Sequence, residues 1–318
     1  MIIDMHCDTL LNLRTKEYDL KNVKGHISLD KLISSNYLVQ CFAVFTHLKY
    51  VTDPKQYVEE MISAFKYNMD KFSNEIRQVY NYNDIIKNQE DNIVSALLTI
   101  EELGVIHEVE ELDELYQQGV RMATLTWNFA NDFAYPAWEF ISKEIPPVIQ
   151  PKKGLTEKGI KLVKRMEELG IIIDVAHLND EGIYDILKYT TKPFVASHSN
   201  ARSICDVSRN LPDDLLLKMK ERGCVIGINY CPDFVKENSN NVLLIEDLIK
   251  HIDYLKELIG IDYIGLGSDF DGIDGDLEIK DASFIPLLIE RLKEHGYSDS
   301  DIGKITYKNV LNLFKKVL

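Results

Sequence analysis

Two histidines each end an apolar run, and their spacing is suited to binding a metal ion. His177 closes the run 171–177 (Ile-Ile-Ile-Asp-Val-Ala-His), and His198 closes the run 193–198 (Pro-Phe-Val-Ala-Ser-His). The stretch between them is long enough for a helix, so two parallel strands joined by a crossover helix would place both imidazoles at the same end of a sheet. Neutral imidazoles are common metal ligands. Asp174, inside the first run, is expected to face away from the site or to support its ligands.

A third histidine and three carboxylates follow other apolar runs in the same way. His6 and Asp8 end the first run, and alternate residues of a strand point to the same face, so Cys7 between them points away. Glu101 and Asp269 each close a later run. A carboxylate in that position is costly unless it is paired or bound to a cation. We therefore expect these four side chains to join the two histidines at one metal site.

Six ligands exceed the needs of a single catalytic zinc ion, which usually takes three protein ligands and keeps one position open. Two ions about 3.5–4 Å apart, bridged by a carboxylate, would use them, and such a pair activates a water at neutral pH and polarises a carbonyl. A remaining carboxylate can carry a proton to a leaving amine. Mixed imidazole and carboxylate ligation suits Zn²⁺ and also Mn²⁺ or Fe²⁺. Singly, each side chain has an ordinary structural explanation, and it is their coincidence at strand ends that favours a metal site.

The elements that must position these residues alternate between apolar runs and amphipathic stretches. Eight runs, rich in Ile and Val without clean alternation, are typical of strands buried on both faces. Eightfold alternation favours one α/β domain over residues 1–318, a (β/α)8 TIM-type barrel with a C-terminal helical extension of two helices in 281–318, and an open doubly wound sheet is the alternative. The predicted strands are Ile2–Asp8, Val39–His47, Ile93–Glu101, Met122–Trp127, Ile171–His177, Pro193–His198, Cys224–Tyr230 and Tyr263–Asp269. The predicted helices include Pro54–Phe72, Thr156–Leu169, Leu211–Glu221 and Val242–Ile259, and the irregular segment 129–153 is expected over the mouth of the barrel.

Composition argues against several classes of partner. The 318-residue chain has a net charge of −15, which disfavours binding to nucleic acid or to anionic membrane surfaces. No apolar run reaches the roughly 20 residues that a membrane-spanning helix needs. The five cysteines are odd in number and lack CxxC spacing, which indicates free thiols in a reducing compartment. With no secretory signal visible, we expect a cytoplasmic protein.

A series of motifs runs along nearly the whole chain. They are His6-x-Asp8, Glu101, Leu125-Thr126-Trp127-Asn128, the run 172–177, Ser197-His198-Ser199, Ser208-Arg209-Asn210 and the segment 267–272 (Gly-Ser-Asp-Phe-Asp-Gly). In this order they resemble the membrane (renal-type) dipeptidase family, peptidase family M19. The resemblance implies a barrel that hydrolyses dipeptides at a binuclear zinc site, and it implies a homodimer.

The resemblance also implies how the metal ligands are divided. It places His6 and Asp8 on one zinc ion. It places His177 and His198 on the other, with Glu101 bridging the two ions.

Two further roles, and two departures, come from the same resemblance. It implies Asp269 as the acid–base residue that also meets the amino group of the substrate. It implies Arg209 as the clamp for the C-terminal carboxylate, which a guanidinium fork suits. Trp127 stands where mammalian members have a histidine that orients the scissile carbonyl, and an indole offers only one N–H donor. Glu102 follows Glu101 where the family usually has glycine, and we take Glu101 as the bridge because it directly continues the apolar run.

We therefore predict a metal-dependent dipeptidase in which a water activated by two metal ions attacks the peptide bond, with Trp127 near the substrate. One alternative is another metal hydrolase on the same barrel, of the amidohydrolase type. Such enzymes usually carry His-x-His after the first strand, whereas this chain has His6-x-Asp8. A second alternative is a non-catalytic binding barrel, which the substitution at Trp127 favours and the full ligand set disfavours.

Overall fold

Eight parallel strands close into a barrel, as predicted, and the open sheet is excluded. The computed structural model describes residues 1–139, 148–149 and 153–318. Each strand pairs with the next along the chain, and the eighth pairs with both the seventh and the first. The strands are β1 Ile2–Asp4, β2 Tyr37–Phe45, β3 Val94–Glu101, β4 Val120–Thr124, β5 Ile172–Asp174, β6 Val195–Ala196, β7 Val225–Ile228 and β8 Ile264–Leu266.

The hydrogen-bonded strands are mostly shorter than the apolar runs that predicted them. Strand β6, for example, ends at Ala196, although its run continues to His198. His177 and Asp269 lie beyond β5 and β8 with φ angles of 68° and 63°, a left-handed conformation that is uncommon outside glycine. The extended strand conformation thus ends before these two predicted site residues.

Helices cover the outside of the barrel. They are α1 Leu10–Leu13, α2 Leu29–Ser34, α3 Pro54–Lys71, α4 Tyr82–Glu90, α5 Glu111–Gln118, α6 Glu157–Leu169, α7 Asp180–Tyr189, α8 Asp213–Arg222, α9 Pro232–Val235, α10 Ile245–Leu258, α11 Ile285–Glu294, α12 Asp299–Gly303 and α13 Asn309–Val317. A π-helical turn, Lys304–Lys308, joins the last two. No helix in the described part of the chain is both long enough and apolar enough to cross a membrane.

Short strands outside the barrel correct one helix prediction. Val242–Leu243 pairs in parallel with Asp276–Leu277, so the helix predicted to begin at Val242 begins instead at Ile245. The backbone of Val242 and Leu243 is used for sheet pairing and is not available to a first helical turn. Ile76–Gln78 adds to the start of β3.

The segment predicted to lie over the mouth is described only in part. Trp138–Glu139 pairs with Val148–Ile149, and Pro136 pairs with Leu178 beyond β5. The prediction for 140–147 and 150–152 lies outside the described residues.

The C-terminal extension closes the end of the barrel opposite to the predicted site. Phe314 and Val310 of α13 pack with Ile3, Met5 and other side chains that fill the barrel interior. Asn309 donates to the carbonyls of Ile261 (2.8 Å) and Ile264 (2.9 Å), just before and within β8. The predicted pair of helices is observed as α11 and a run of three helical segments from Asp299 to Val317.

The packing of α13 against the barrel interior is expected to stabilise the protein strongly. The Phe314 side chain is fully buried, so Phe314→Ala should reduce the free energy of unfolding by about 3–5 kcal/mol through lost apolar contact and an unfilled cavity. Denaturant unfolding measures the change, and exposed Lys315→Ala is the matched control. A loss below about 1 kcal/mol would show that α13 does not seal the barrel.

Candidate active site

The predicted ligands converge at the carboxyl ends of the strands. Their oxygen and nitrogen atoms form three overlapping groups, each with its ligand atoms within 4.8 Å of one another. The groups are His6 with Asp8 and Glu101; Glu101 with His177 and His198; and His6 with His198 and Asp269.

Glu101 lies between two sets of side chains. Its Oε1 is 3.0 Å from His177 Nε2 and 3.6 Å from His198 Nε2. Its Oε2 is 3.5 Å from His6 Nε2, which in turn lies 3.3 Å from Asp8 Oδ2. The two oxygens of one carboxylate thus face two different groups of ligands, the arrangement that a bridging ligand requires.

Both histidines beyond β5 and β6 have their Nδ1 atoms engaged on the side away from the site. His177 Nδ1 lies 3.0 Å from Asn128 Oδ1, and His198 Nδ1 lies 2.7 Å from Ser197 Oγ. Their Nε2 atoms are only 3.0 Å apart and face Glu101. Because a partner at Nδ1 fixes the tautomer, it directs the lone pair of Nε2 toward a cation.

Asp174 supports His198 through Ser197. The sequence had left open whether Asp174 faces away from the site or supports its ligands. Its carboxylate accepts hydrogen bonds from the Ser197 amide and hydroxyl, and from the Thr124 hydroxyl. Asp174 therefore holds the segment that carries His198 and orients the Ser197 hydroxyl beside the imidazole.

Asp4 and Ser268, on the other side of the barrel, form a pair like that of Asp174 and Ser197. This pair was not predicted from the sequence. Asp4 accepts from the Ser268 amide (2.8 Å) and hydroxyl (2.6 Å) and from the His6 amide (3.3 Å). Ser268 immediately precedes Asp269, as Ser197 precedes His198. The available signal was Asp4 itself, since a carboxylate within a buried apolar run needs partners.

Removing the Ser197 hydroxyl should weaken metal binding without removing a ligand. Ser197→Ala breaks the link from Asp174 to His198 Nδ1, and losses of supporting partners typically cost about 10–100-fold in metal affinity. Titration against a competing chelator measures the change. Thr306→Ala, which removes a buried hydroxyl at the other end of the barrel, is the control. Equal affinities in Ser197→Ala and the parent protein would contradict the proposed support.

The residues at this position fit a pair of cations. Among the described residues, His6 Nε2 and Asp8 Oδ1 are buried and have no hydrogen-bond partner of acceptable geometry. A Cβ at Gly272 would lie 2.1 Å from Asp8 Oδ2 and 2.8 Å from Asp269 Oδ1, so only glycine leaves the ligand space open. Ligand atoms that are buried, clustered and without hydrogen-bond partners are expected where a metal ion supplies the missing interaction.

The pKa values of His177 and His6 are shifted in opposite directions. Burial, with Arg209 adding to it, lowers the pKa of His177 to about 4, so its imidazole is neutral as a ligand must be. Burial alone would also lower the pKa of His6, but Glu101 and Asp8 outweigh it and hold that pKa well above its usual value. Metal binding at His6 should therefore release a proton.

Asp269 is suited to proton transfer. Burial and the neighbouring carboxylates of Asp8 and Glu101 together outweigh the opposing effects of His6 and Arg209, and they raise the pKa of its carboxyl to about 7. Asn229 donates to Asp269 Oδ2 at 3.1 Å, while Oδ1 lies 3.9 Å from His6 Nε2. Asn229, which the sequence did not reveal, thus orients the carboxylate so that its second oxygen faces the ligand cluster.

Arg209 lies beside the same cluster. Its guanidinium is buried, donates to the carbonyl of His198 at 3.3 Å, and lies 5.3 Å from the centre of the Phe234 ring. Its Nε has no hydrogen-bond partner among the described residues. A buried cation with an unused N–H beside a pocket is well suited to hold an anionic group of a ligand.

Glu102 occupies a different position from Glu101. Its buried side chain accepts from the backbone N–H of Trp127 (2.8 Å) and Gly104 (2.7 Å), and from Asn131 Nδ2 (2.8 Å). It belongs to none of the ligand groups among the described residues. The structure therefore places Glu101, and not Glu102, among the candidate ligands.

A pocket of about 380 Å³, large enough for a small peptide, lies beside the candidate ligands. Its lining includes the candidate ligands Asp8, Glu101 and His177, the carboxylate of Asp269, and the side chains of Trp127 and Phe45. The indole of Trp127 lies 6.1 Å from the His177 ring, centre to centre.

A closed barrel with imidazoles and carboxylates around one pocket at its carboxyl ends defines a metal-dependent hydrolase. Sequence comparison identifies which kind. The profile described as "Membrane dipeptidase (Peptidase family M19)" matches residues 1–318. The chain belongs to this family of metal-dependent dipeptidases.

Individual relatives agree with this assignment. A protein of Klebsiella pneumoniae described as an uncharacterized protein in the pqqA 5′ region is 31% identical over 83% of this chain and 97% of its own length. An uncharacterized dipeptidase of Schizosaccharomyces pombe is 29% identical over 99% of this chain and 80% of its own. Dipeptidase aclJ of Aspergillus oryzae is 34% identical over 70% of this chain and 52% of its own.

Solved structures share the fold. A metallopeptidase from Rhodobacter sphaeroides, liganded with a phosphinate mimic of the dipeptide L-Ala-D-Ala, has a TM-score of 0.89 at 24% identity, over 100% of this chain and 99% of its own. An amidohydrolase from Pseudomonas aeruginosa has a TM-score of 0.82 at 18% identity, over 100% of this chain and 96% of its own.

Proposed function

We propose that the chain hydrolyses dipeptides with two zinc ions, held by His6 and Asp8 on one side and by His177 and His198 on the other. The position of Glu101 carries the proposal, because its two carboxylate oxygens face these two groups separately. Imidazole and carboxylate donors in this mixture suit Zn²⁺, and Mn²⁺ or Fe²⁺ are the other candidates. When bound, the metal pair would supply Lewis-acid activation of the scissile carbonyl and of a water.

The remaining residues handle protons and substrate charge. Asp269, oriented by Asn229, takes the proton of the attacking water and passes it to the leaving amine. Arg209 binds the C-terminal carboxylate of the substrate, and Asp269 also meets its amino group. Holding both termini fixes the peptide bond beside the ligand cluster and restricts the reaction to short peptides.

The relatives support the same substrate class. One structural neighbour was crystallised with a dipeptide mimic, and several curated relatives are described as dipeptidases. The His-x-Asp arrangement and the bridging position of Glu101 favour a dipeptidase over the amidohydrolase alternative. The buried ligand set beside an open pocket likewise favours catalysis over a non-catalytic binding barrel.

Metal analysis combined with a dipeptide panel tests the proposal. The purified protein should contain up to two zinc ions per chain, and it should hydrolyse free dipeptides but not their N-acetylated or C-amidated forms. A chelator should abolish turnover, and added zinc should restore it. Hydrolysis of blocked peptides, or of lactones in preference to dipeptides, would favour the amidohydrolase alternative, and bound peptide without turnover would favour the binding barrel.

We further propose that the protein is cytoplasmic and forms a homodimer. All five cysteines are free thiols in the structure, which supports a reducing compartment. Fractionation of the source cells tests the location. Light scattering tests the dimer, and a monomeric mass at micromolar concentration would contradict it.

A further inference from the structure

Two aromatic side chains flank Glu101 on one side of the pocket. Phe45, at the end of β2, pairs in register with Glu101 of β3, and Trp127 follows β4 on the opposite side of β3. Their rings meet edge to face with centres 5.0 Å apart, and both line the pocket. Phe129 adds a third ring, 5.5 Å from Trp127. An apolar aromatic wall therefore adjoins the place where the scissile carbonyl would lie.

The wall faces charged and polar groups of other strands. Arg209 and Asn229 both contact the carbonyl of His198, and Asn229 also holds Asp269. These groups follow β6, β7 and β8, whereas Phe45 is the last residue of β2 and Trp127 follows β4. The two ends of a dipeptide are charged and would bind toward Arg209 and Asp269, so the aromatic wall is left for an uncharged part of the substrate.

Glu102 fixes the backbone of this wall. Its φ of 86° is left-handed and strained for a non-glycine residue, and its carboxylate is fully buried. Oε2 accepts the Trp127 amide, and Oε1 accepts both the Gly104 amide and the Asn131 side chain. All three donors lie in segments beyond β3 and β4, so one carboxylate ties together the ends of both strands beside the pocket. Burial of the Glu102 carboxylate and its strained backbone both cost free energy. A role in holding Trp127 beside the pocket would explain why these costs are tolerated.

We propose that Trp127 forms the subsite for an apolar side chain on the N-terminal residue of the substrate, and that Glu102 is the positioning residue that holds it there. The inference rests on the proposed dipeptidase function. The N-terminal Cα bears the carbonyl, directed to the metal ligands, and the amine, directed to Asp269. The tetrahedral geometry of that carbon sends its side chain away from both, toward Trp127 and Phe45.

Matched dipeptides test the subsite. For Trp127→Ala, kcat/KM for Leu-Gly should fall at least about tenfold more than kcat/KM for Gly-Gly, because even one methylene group in an apolar pocket is worth about 10–200-fold in discrimination. The fall in kcat/KM for Gly-Leu should equal the fall for Gly-Gly. A uniform loss across the three substrates, or a selective loss for Gly-Leu, would overturn the assignment of Trp127.

A double-mutant cycle tests Glu102. Glu102→Gln replaces one acceptor oxygen by an amide donor and so sets a donor against either the Trp127 amide or the Asn131 side chain. In the protein that retains Trp127, Glu102→Gln should lower the ratio of kcat/KM for Leu-Gly to kcat/KM for Gly-Gly severalfold. In the Trp127→Ala background it should cause no further change of that ratio. An equal change of the ratio in both backgrounds, or none in either, would show that Glu102 does not act through Trp127.

Fluorescence provides a test that needs neither turnover nor a change at Glu102. The chain has two tryptophans, so Trp138→Phe leaves Trp127 as its single indole. A phosphinate dipeptide mimic with a leucine side chain at the N-terminal position should shift the Trp127 emission, whereas the glycine mimic should shift it much less. Equal shifts, in a protein that does hydrolyse dipeptides, would overturn this inference alone. A protein that hydrolyses no dipeptide and binds neither mimic would overturn the proposed function and this inference with it.

Discussion

Asp269→Asn is expected to reduce kcat by about 10²–10⁴-fold while the protein keeps its fold and its metal. An asparagine has nearly the same shape and can still pair with Asn229, but its amide cannot take up a proton from water. The loss of proton transfer should fall on kcat, because that proton moves in the transition state and not on binding, whereas the weaker contact with the amino group of the substrate should appear in KM. Steady-state kinetics with a free dipeptide, beside metal analysis of the same sample, measures both quantities.

A charge-matched control separates proton transfer from a general electrostatic effect. Asp274 also lines the pocket but is exposed and belongs to none of the described ligand groups, so Asp274→Asn should cost far less than Asp269→Asn. Similar losses in the two variants would mean that Asp269 contributes only negative charge. Retention of near-normal rates in Asp269→Asn would refute its assignment as the acid–base residue.

The barrel could be predicted because parallel strands buried on both faces have an unmistakable composition. Each of the eight strands overlaps one of the predicted apolar runs, and the closing pair between β8 and β1 follows from their number and order. The strand ends were harder to predict. Within the run ending at His177 only Asp174 interrupts the apolar residues before the histidine, and nothing in the sequence marks the left-handed φ of 68° at His177.

The candidate ligands could be predicted for a related reason. Carboxyl ends of all eight strands meet at one rim, so any metal ligand that closes an apolar run is brought near the others. Supporting residues escaped prediction because they show no such regularity. Ser268 holds Asp4 across 264 positions of sequence, and Asn229 reaches Asp269 across 40. Serine and asparagine are common in loops, and only the closed barrel shows which of them face the site.

The two departures from the family pattern, at Glu102 and Trp127, proved to be one structural feature. In the sequence they are separated by 25 positions, and each raised a separate question about the site. In the structure the carboxylate of one accepts the backbone amide of the other. Sequence alone could not link them, because the contact depends on β3 and β4 ending side by side.

Adjacent glutamates offer a direct test of the metal centre. Glu101→Gln should reduce bound metal to one ion or fewer per chain, because the amide nitrogen cannot serve as a ligand and one of the two ligand groups loses its shared oxygen. Loss of Lewis-acid activation worth several kcal/mol should reduce hydrolysis by about 10³-fold or more. Metal analysis after dialysis against a weak chelator, followed by dipeptide assay, measures both effects. Metal protection against thermal unfolding should shrink as well, since a cation that binds only the folded chain stabilises it by an amount that grows with the logarithm of its affinity.

Glu102→Gln is the matched control for that experiment, with the same change of side-chain shape one residue away. Glu102 faces Trp127 and Asn131, and within the described structure it lies outside the ligand groups, so its substitution should leave metal stoichiometry at the parent value. Its effect should appear in the choice between substrates. If Glu102→Gln lost metal and Glu101→Gln retained it, the bridging role would belong to the second glutamate and the register of β3 would have to be revised. If both variants kept two ions per chain, the carboxylate bridge itself would be wrong, and the two imidazole groups would have to bind their ions independently.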